Sequence, residues 1–326
     1  MSLKLSLTFP EYARLVPLAI GDVRPEGIDL VWWRGPRNEA LARALNDPAI
    51  DGGEHSLAQH LYRIAAGDRS HVAIPVFPLR NFGARDIYVR AGSGPARAAD
   101  LVGKRVGMYS WTASGSVWYR HLLRHLGVAI ASVKWTIGPI DDPAPATPPP
   151  NLPANVVGAP AGRALSAMLR SGELDAIVSP LRPAGFDVLK GPLARLFADF
   201  PAVEAEYFRA TGCYPPQHVV ILRRAVFERA PWALERLVAA FEAAERHFCA
   251  NMWMFPYASP WLEADLERTE RTMGVGYHAN GLEPNRRQVE AFCGEAHALG
   301  LVPRRVAVDE LFAEYLQAAK SGVAAG

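Results

Sequence analysis

The chain opens with a strict alternation. Leu3, Leu5 and Leu7 are separated by Lys4, Ser6 and Thr8, the period of a strand with one buried face. Ile28-Asp29-Leu30-Val31-Trp32 predicts a second strand. From Arg37 to Leu45 the spacing turns helical, and Asn46-Asp47-Pro48 stops it, because the residue before a proline resists the α region. Leu57, Leu61 and Ile64 mark another helix face, with Ser56 placed to cap it and Gly67 to end it. Just ahead, Asp51-Gly52-Gly53-Glu54-His55 predicts a tight turn, since glycines take backbone angles that other residues avoid. Such a turn would aim free N–H groups and the positive end of a helix dipole at one spot, which suits a carboxylate. The run from His71 to Phe77 reads as a strand, edge or irregular because Pro75 has no N–H to give a neighbour. Ile87-Tyr88-Val89 reads as another strand.

Gly92-Ser93-Gly94-Pro95 breaks the pattern and is the expected place for a crossing between domains. Beyond it, Asp100 to Met108 turns into a strand, Tyr109 to Gly115 is small and polar, and a helix runs from about Ser116 to Leu126. Val133 to Ile137 is a strand. Gly138 to Pro160 is rich in Pro and Ala without an apolar period and predicts a long surface loop. Arg163 to Arg170 is helical, and Gly172 to Pro180 turns into a buried strand. The return crossing is expected at Cys213-Tyr214-Pro215-Pro216-Gln217-His218, ahead of the strand Val219 to Leu222. The remainder is helical, with Leu234, Leu237, Val238 and Phe241 on an apolar face and the aromatic cluster Trp253 to Trp261 expected to pack on the core. Strands alternating with helices argue an α/β protein.

Composition narrows the class. With 326 residues, half of them apolar, the chain can bury a large core and suits two domains. The formal net charge of +2, with acids and bases interspersed, offers no basic face for nucleic acid. No apolar run approaches the ~20 residues of a membrane span. The alternating start predicts no signal peptide and hence a cytoplasmic protein, or a periplasmic one if a signal has been removed. The three cysteines, Cys213, Cys249 and Cys293, are scattered and predict reduced thiols. The sequence leaves a homo-oligomer open.

Several motifs together carry a family resemblance. Leu101-Val102-Gly103-Lys104-Arg105-Val106-Gly107 and Gly172-Glu173-Leu174-Asp175-Ala176 resemble the second lobe of a type 2 periplasmic-binding-protein fold. Arg24 to Leu30, Glu54-His55-Ser56-Leu57, Ile74 to Pro78, Ile87-Tyr88-Val89 and Tyr214 to Ile221 together resemble the 4,5-dihydroxyphthalate decarboxylase family, and Gly276-Tyr277, Asn280-Gly281 and Asn285-Arg286 fit its C-terminal part. His55, Gln59 and His60 depart from that family's pattern, and Tyr109 to Ser114 matches it loosely, which makes a changed substrate plausible. The resemblance implies two lobes, 1–90 plus 215–326 and 91–214, each a mostly parallel sheet flanked by helices, with two hinge crossings and a ligand in the interlobe cleft. It implies a cofactor-independent carboxy-lyase of phthalate degradation, converting 4,5-dihydroxyphthalate to 3,4-dihydroxybenzoate and CO2. The alternative on the same fold is a non-enzymatic solute-binding protein for a small anionic or aromatic ligand.

Loss of CO2 from an aromatic ring requires a clamp for carboxylate, an acid for the ring carbon and a base for a phenol. Arg80, Arg85 and Arg182 are the clamp candidates, because guanidinium grips carboxylate with two prongs. His55 and His218 are the proton carriers, and Glu54 orients a histidine or serves as base. Ser110, Thr112 and Ser114 are placed to hold a carboxylate at a helix start, with Ser56, Tyr12 and Tyr214 as further substrate contacts. A loop arginine is also commonly just solvated, and a histidine at a strand start is often just hydrogen-bonded. A metal is not expected. His121 and His125 have ligand spacing but no third ligand, and no Walker loop, GxGxxG or GxSxG occurs.

Overall fold

The computed structural model describes residues 2–143, 152–252 and 259–323. The chain divides into two compact units, Met1–Arg80 with Pro216–Gly326, and Asn81–Pro215. In chain order the strands are β1 (Leu3–Phe9), β2 (Ile28–Arg34), β3 (Gly52–Ser56), β4 (His71–Ile74), β5 (Ile87–Arg90), β6 (Arg105–Met108), β7 (Lys134–Ile137), β8 (Val156–Gly158), β9 (Ala176–Val178), β10 (Leu193–Arg195) and β11 (His218–Arg223). The helices are α1 (Val16–Ile20), α2 (Arg37–Asn46), α3 (Leu57–Ala65), α4 (Ser114–His125), α5 (Leu165–Ser171), α6 (Phe200–Thr211), α7 (Arg224–Arg229), α8 (Ala233–Asn251), α9 (Leu262–Met273), α10 (Arg286–Ala298), α11 (Val308–Leu311) and α12 (Ala313–Val323). Among the described residues no helix is long and apolar enough to cross a membrane.

The first unit is built on a sheet of order β2-β1-β3-β11-β4. The alternation at the N-terminus puts Leu5, Leu7 and Phe9 on one face, where they join Ile74, Val220 and Leu222 in a cluster with Leu234, Leu237 and Phe241 of α8. Each such side chain taken out of water contributes roughly 1.5–3 kcal/mol. Phe9 also stacks on Trp32 at 4.4 Å. Pro75 directly follows β4, which lies at the sheet edge as its missing N–H requires.

The two glycines of the Asp51–His55 stretch do not form a turn. They lie in β3, which runs between β1 and β11. A Cβ at Gly52 would lie 2.1 Å from the carbonyl oxygen of Ile221, and one at Gly53 would lie 2.2 Å from that of Thr8. Glycine is there because backbone approaches from both sides, and Gly53 also takes a φ of 153°. The strand ends at Ser56, whose hydroxyl accepts from the Gln59 N–H and caps α3.

The second unit carries a sheet of order β10-β5-β9-β6-β7-β8. β5 pairs antiparallel with β9 and β10, so residues 81–90 belong to this unit and the first crossing falls at Arg80 rather than near Gly92. Gly92 to Pro95 is a turn inside the unit, where the Gly94 N–H reaches the Arg90 carbonyl at 3.1 Å. Both sheets are mixed rather than mostly parallel, because β11 and β5, the strands next to the crossings, run against their neighbours. β8 interrupts the stretch expected to be one loop by pairing in parallel with β7. Residues 144–151 of that stretch lie outside the described residues, as do residues 253–258 of the aromatic cluster. Trp261 at the cluster's end is 72% exposed.

Candidate functional site

In the antiparallel pairing of β3 with β11, Val220 lies opposite Glu54 and His218 opposite Ser56. Glu54 and His218 are thus diagonal neighbours on one face, within reach of each other. The Glu54 carboxylate is fully buried. Its Oε1 accepts the Tyr12 hydroxyl at 2.7 Å and also the Nδ1–H of His218. Burial and the neighbouring carboxylate charge push the Tyr12 phenol well above its ordinary range, so it stays protonated and donates. Holding Nδ1 on a carboxylate fixes the imidazole tautomer, with the proton on Nδ1 and the lone pair on Nε2. Among the described residues Glu54 Oε2 has no hydrogen-bond partner.

His55 does not join this group. Successive residues of a strand point to opposite faces, and His55, next to Glu54, is turned to the other side of the sheet. It is 7% exposed, and among the described residues neither ring nitrogen has a partner. Burial lowers its pKa to about 3, so its ring is held neutral, on the face of the sheet away from Glu54 and His218.

Each arginine of the expected clamp has its own surroundings. Arg80 is 4% exposed and spans to Asn285 Oδ1 at 2.5 Å and the Ala279 carbonyl at 3.3 Å, inside the first unit. In the second unit, Arg85 donates to Asn81 Oδ1 at 2.7 Å and pairs with Asp86, while Arg182 is exposed. The Ser110 hydroxyl accepts from the N–H groups of Thr112 and Ala113, shaping the turn into α4. Ser114 is buried in the first turn of α4, and the Tyr214 ring lies 4.9 Å from that of Phe82.

Arg14 escaped the sequence reading. One arm donates to Glu245 Oε2 at 3.0 Å and the other to the Pro78 carbonyl at 2.7 Å, which ties the segment carrying Tyr12 to α8 and to the end of β4. Nothing in its local pattern sets it apart from a surface arginine, since both partners are distant in sequence. His278 was also missed. It sits on a turn pinned by the Phe77 N–H on Asn280 Oδ1 and the Gly281 N–H on the Pro75 carbonyl. Among the described residues no group of three or more metal-ligating side chains occurs. His121 and His125 are instead engaged with Tyr207 and Glu206.

No family model matches the chain. The fold is that of the type 2 periplasmic-binding proteins. The aliphatic sulphonate binding protein SsuA of Escherichia coli superposes with a TM-score of 0.54 at 16% identity, covering 96% of this chain and 99% of that one. The alkanesulfonate-binding protein SsuA of Xanthomonas axonopodis pv. citri gives 0.50 at 19%, covering 94% and 97%. Sequence narrows the class further. A 4,5-dihydroxyphthalate decarboxylase of Comamonas testosteroni is 33% identical over 317 residues, 95% of this chain and 96% of that protein. One of Pseudomonas putida is 34% identical over 212 residues, 64% and 82% of the two chains. The chain belongs to the 4,5-dihydroxyphthalate decarboxylase family.

Proposed function

We propose that the chain decarboxylates a dihydroxyphthalate-like aromatic diacid with its own side chains as the proton carriers. The observation that carries this reading is the Tyr12–Glu54–His218 arrangement, in a chain of this family. In such a diacid a hydroxyl lies para to a carboxylate. Once that hydroxyl gives up its proton, electron density moves to the carbon bearing the carboxylate, and that carbon takes a proton. The C–C bond then breaks, its electron pair returns to the ring, CO2 leaves, and the phenolate regains a proton. One proton is consumed in total. His218 Nε2 delivers it to carbon, and Glu54 stabilises the imidazolium that donates it. Tyr12 holds the carboxylate in place. Arg85, Arg182, Ser110, Thr112, Ser114, Ser56 and Tyr214 are proposed as substrate contacts.

The test is CO2 release and ultraviolet absorbance with 4,5-dihydroxyphthalate and no added metal. His218→Ala should lower turnover by the roughly 10²–10⁴-fold that a positioned proton carrier contributes, with the far-ultraviolet circular dichroism unchanged. Retained turnover would remove His218 from the reaction. A wild-type chain that is thermally stabilised by the diacid but never turns it over would be a binding protein.

A further inference from the structure

A dihydroxyphthalate-like diacid carries two ionised carboxylates at neutral pH, and the buried Glu54 carboxylate beside His218 repels both. A cation is needed on the same side of the first unit. Arg80 does not supply it, because its guanidinium is buried against Asn285 and the Ala279 carbonyl. Arg85 and Arg182 lie in the second unit.

The sheet register brings another arginine there. β1, β2 and β3 run parallel, so their C-terminal ends share one edge of the sheet. β11 runs against β3 and begins at that edge, with His218 opposite Ser56. Tyr12 follows β1, Arg37 follows β2 across the short Gly35-Pro36 link, and Glu54 lies near the end of β3. Ligands of α/β sheets collect at such strand ends. The Arg37 guanidinium lies 6.0 Å from the centre of the Tyr12 ring, and the Tyr12 hydroxyl donates to Glu54 Oε1. Burial and Glu54 push the Tyr12 phenol up, and the Arg37 charge opposes them. Arg37 is exposed, and among the described residues it is in no salt bridge. The arginines around it are paired, Arg34 with Glu11 at 3.6 Å, Arg14 with Glu245 at 3.0 Å and Arg43 with Asp47 at 3.1 Å. Glu39, two positions along α2, faces another side of the helix.

We infer that Arg37 grips the carboxylate that remains on the ring after CO2 has left. The inference deepens the reading above and rests on its placing an aromatic acid at this edge of the first unit. A guanidinium on the departing carboxylate would stabilise the starting state more than the transition state, in which that charge passes into the ring. On the retained carboxylate, the two-pronged contact holds substrate, transition state and product alike.

The product 3,4-dihydroxybenzoate keeps that carboxylate and catechol lacks it, so titration calorimetry of the full chain with these two ligands needs no turnover. Wild type should bind 3,4-dihydroxybenzoate at least about tenfold tighter than catechol. Arg37→Met should remove that advantage, leave catechol binding within about threefold of wild type, and raise KM for the diacid with kcat nearly unchanged. Arg37→Lys keeps the charge without the fork and should recover part of the advantage. Arg34→Met deletes the same charge from a paired arginine nearby and should change neither affinity. Should Arg37→Met fail to fold, Arg37→Gln takes its place. Wild type that binds the two ligands equally or not at all, an Arg37→Met chain that keeps the advantage, or an Arg34→Met chain that loses as much of it would overturn the inference. Turnover of the diacid together with an advantage kept in Arg37→Met refutes the inference alone. No turnover together with an advantage lost in Arg37→Met refutes the reaction alone.

Discussion

Acidification should loosen the first unit while sparing the second. His60 is fully enclosed on α3, where its Nε2 lies 3.1 Å from the Leu311 carbonyl, and burial lowers its pKa to about 4. In the unfolded chain it titrates near ~6.5. Below that pH the unfolded state binds a proton that the folded state refuses, so stability falls as pH falls and levels off near the folded value. At pH 5 the difference from neutral pH is about 1.5 pH units, or about 2 kcal/mol, and it barely depends on how far below 5 the folded value lies. His55 and His71, lowered by burial to about 3 and about 4, act in the same direction. In the second unit the sign is reversed. Burial raises Glu204 to about 7 and raises Asp86, so there the folded state binds the extra proton, and stability grows as pH drops through 7 toward the ordinary carboxylate range. Hydrogen exchange followed by mass spectrometry at pH 7.5 and 5.0, corrected for intrinsic rates, reads the two units separately. Protection in α3 and β4 should fall about 30-fold for each 2 kcal/mol lost, while β6 and β9 keep theirs. His60→Gln keeps a donor for Leu311 but cannot charge, and it should flatten the pH slope of the first unit by about 2 kcal/mol. Unchanged protection of α3 between the two pH values, or a wild-type slope in His60→Gln, would refute the reasoning.

Gly53→Ala sets a methyl 2.2 Å from the Thr8 carbonyl oxygen and should cost at least about 2 kcal/mol, read from the urea midpoint. Tyr12→Phe removes one donor to the buried Glu54 carboxylate and should cost about 1.5–3 kcal/mol while changing the pH profile of turnover, since the charge beside His218 is then less well held. Arg80→Met removes the charged donor to Asn285 Oδ1 and the Ala279 carbonyl, which keep only Gln288 and Asn285 as donors among the described residues, and should cost about 1–3 kcal/mol, with exchange rising in the peptide spanning residues 279–285.

What the sequence made legible follows from what is local. The Leu3–Leu7 alternation and the Ser56 cap depend on neighbours within a few residues, and both are found in β1 and α3. The Pro75 rule placed β4 at an edge. The Gly52–Gly53 pair was misread because the reason for glycine there is backbone arriving from β1 and β11, which no local pattern records. The site shows the same division. Glu54 and His218 stand together because two strands pair in one register, whereas His55 was grouped with them by sequence adjacency, and adjacency on a strand means opposite faces. Arg14 stayed hidden because its partners, Pro78 and Glu245, come from remote parts of the chain.

The strand order of the first sheet has a consequence for synthesis. β11 is inserted between β3 and β4, yet it follows them only after the whole second unit has been made, and Glu54 meets a histidine 164 residues downstream. While the chain leaves the ribosome, β3 and β4 have no strand between them, and the Gly52–Ser56 backbone waits with an open edge that invites mispairing. The second unit can complete its own sheet first. The Glu54–His218 pair therefore cannot form until the whole second unit has been made, and a nascent chain halted anywhere before β11 cannot contain it.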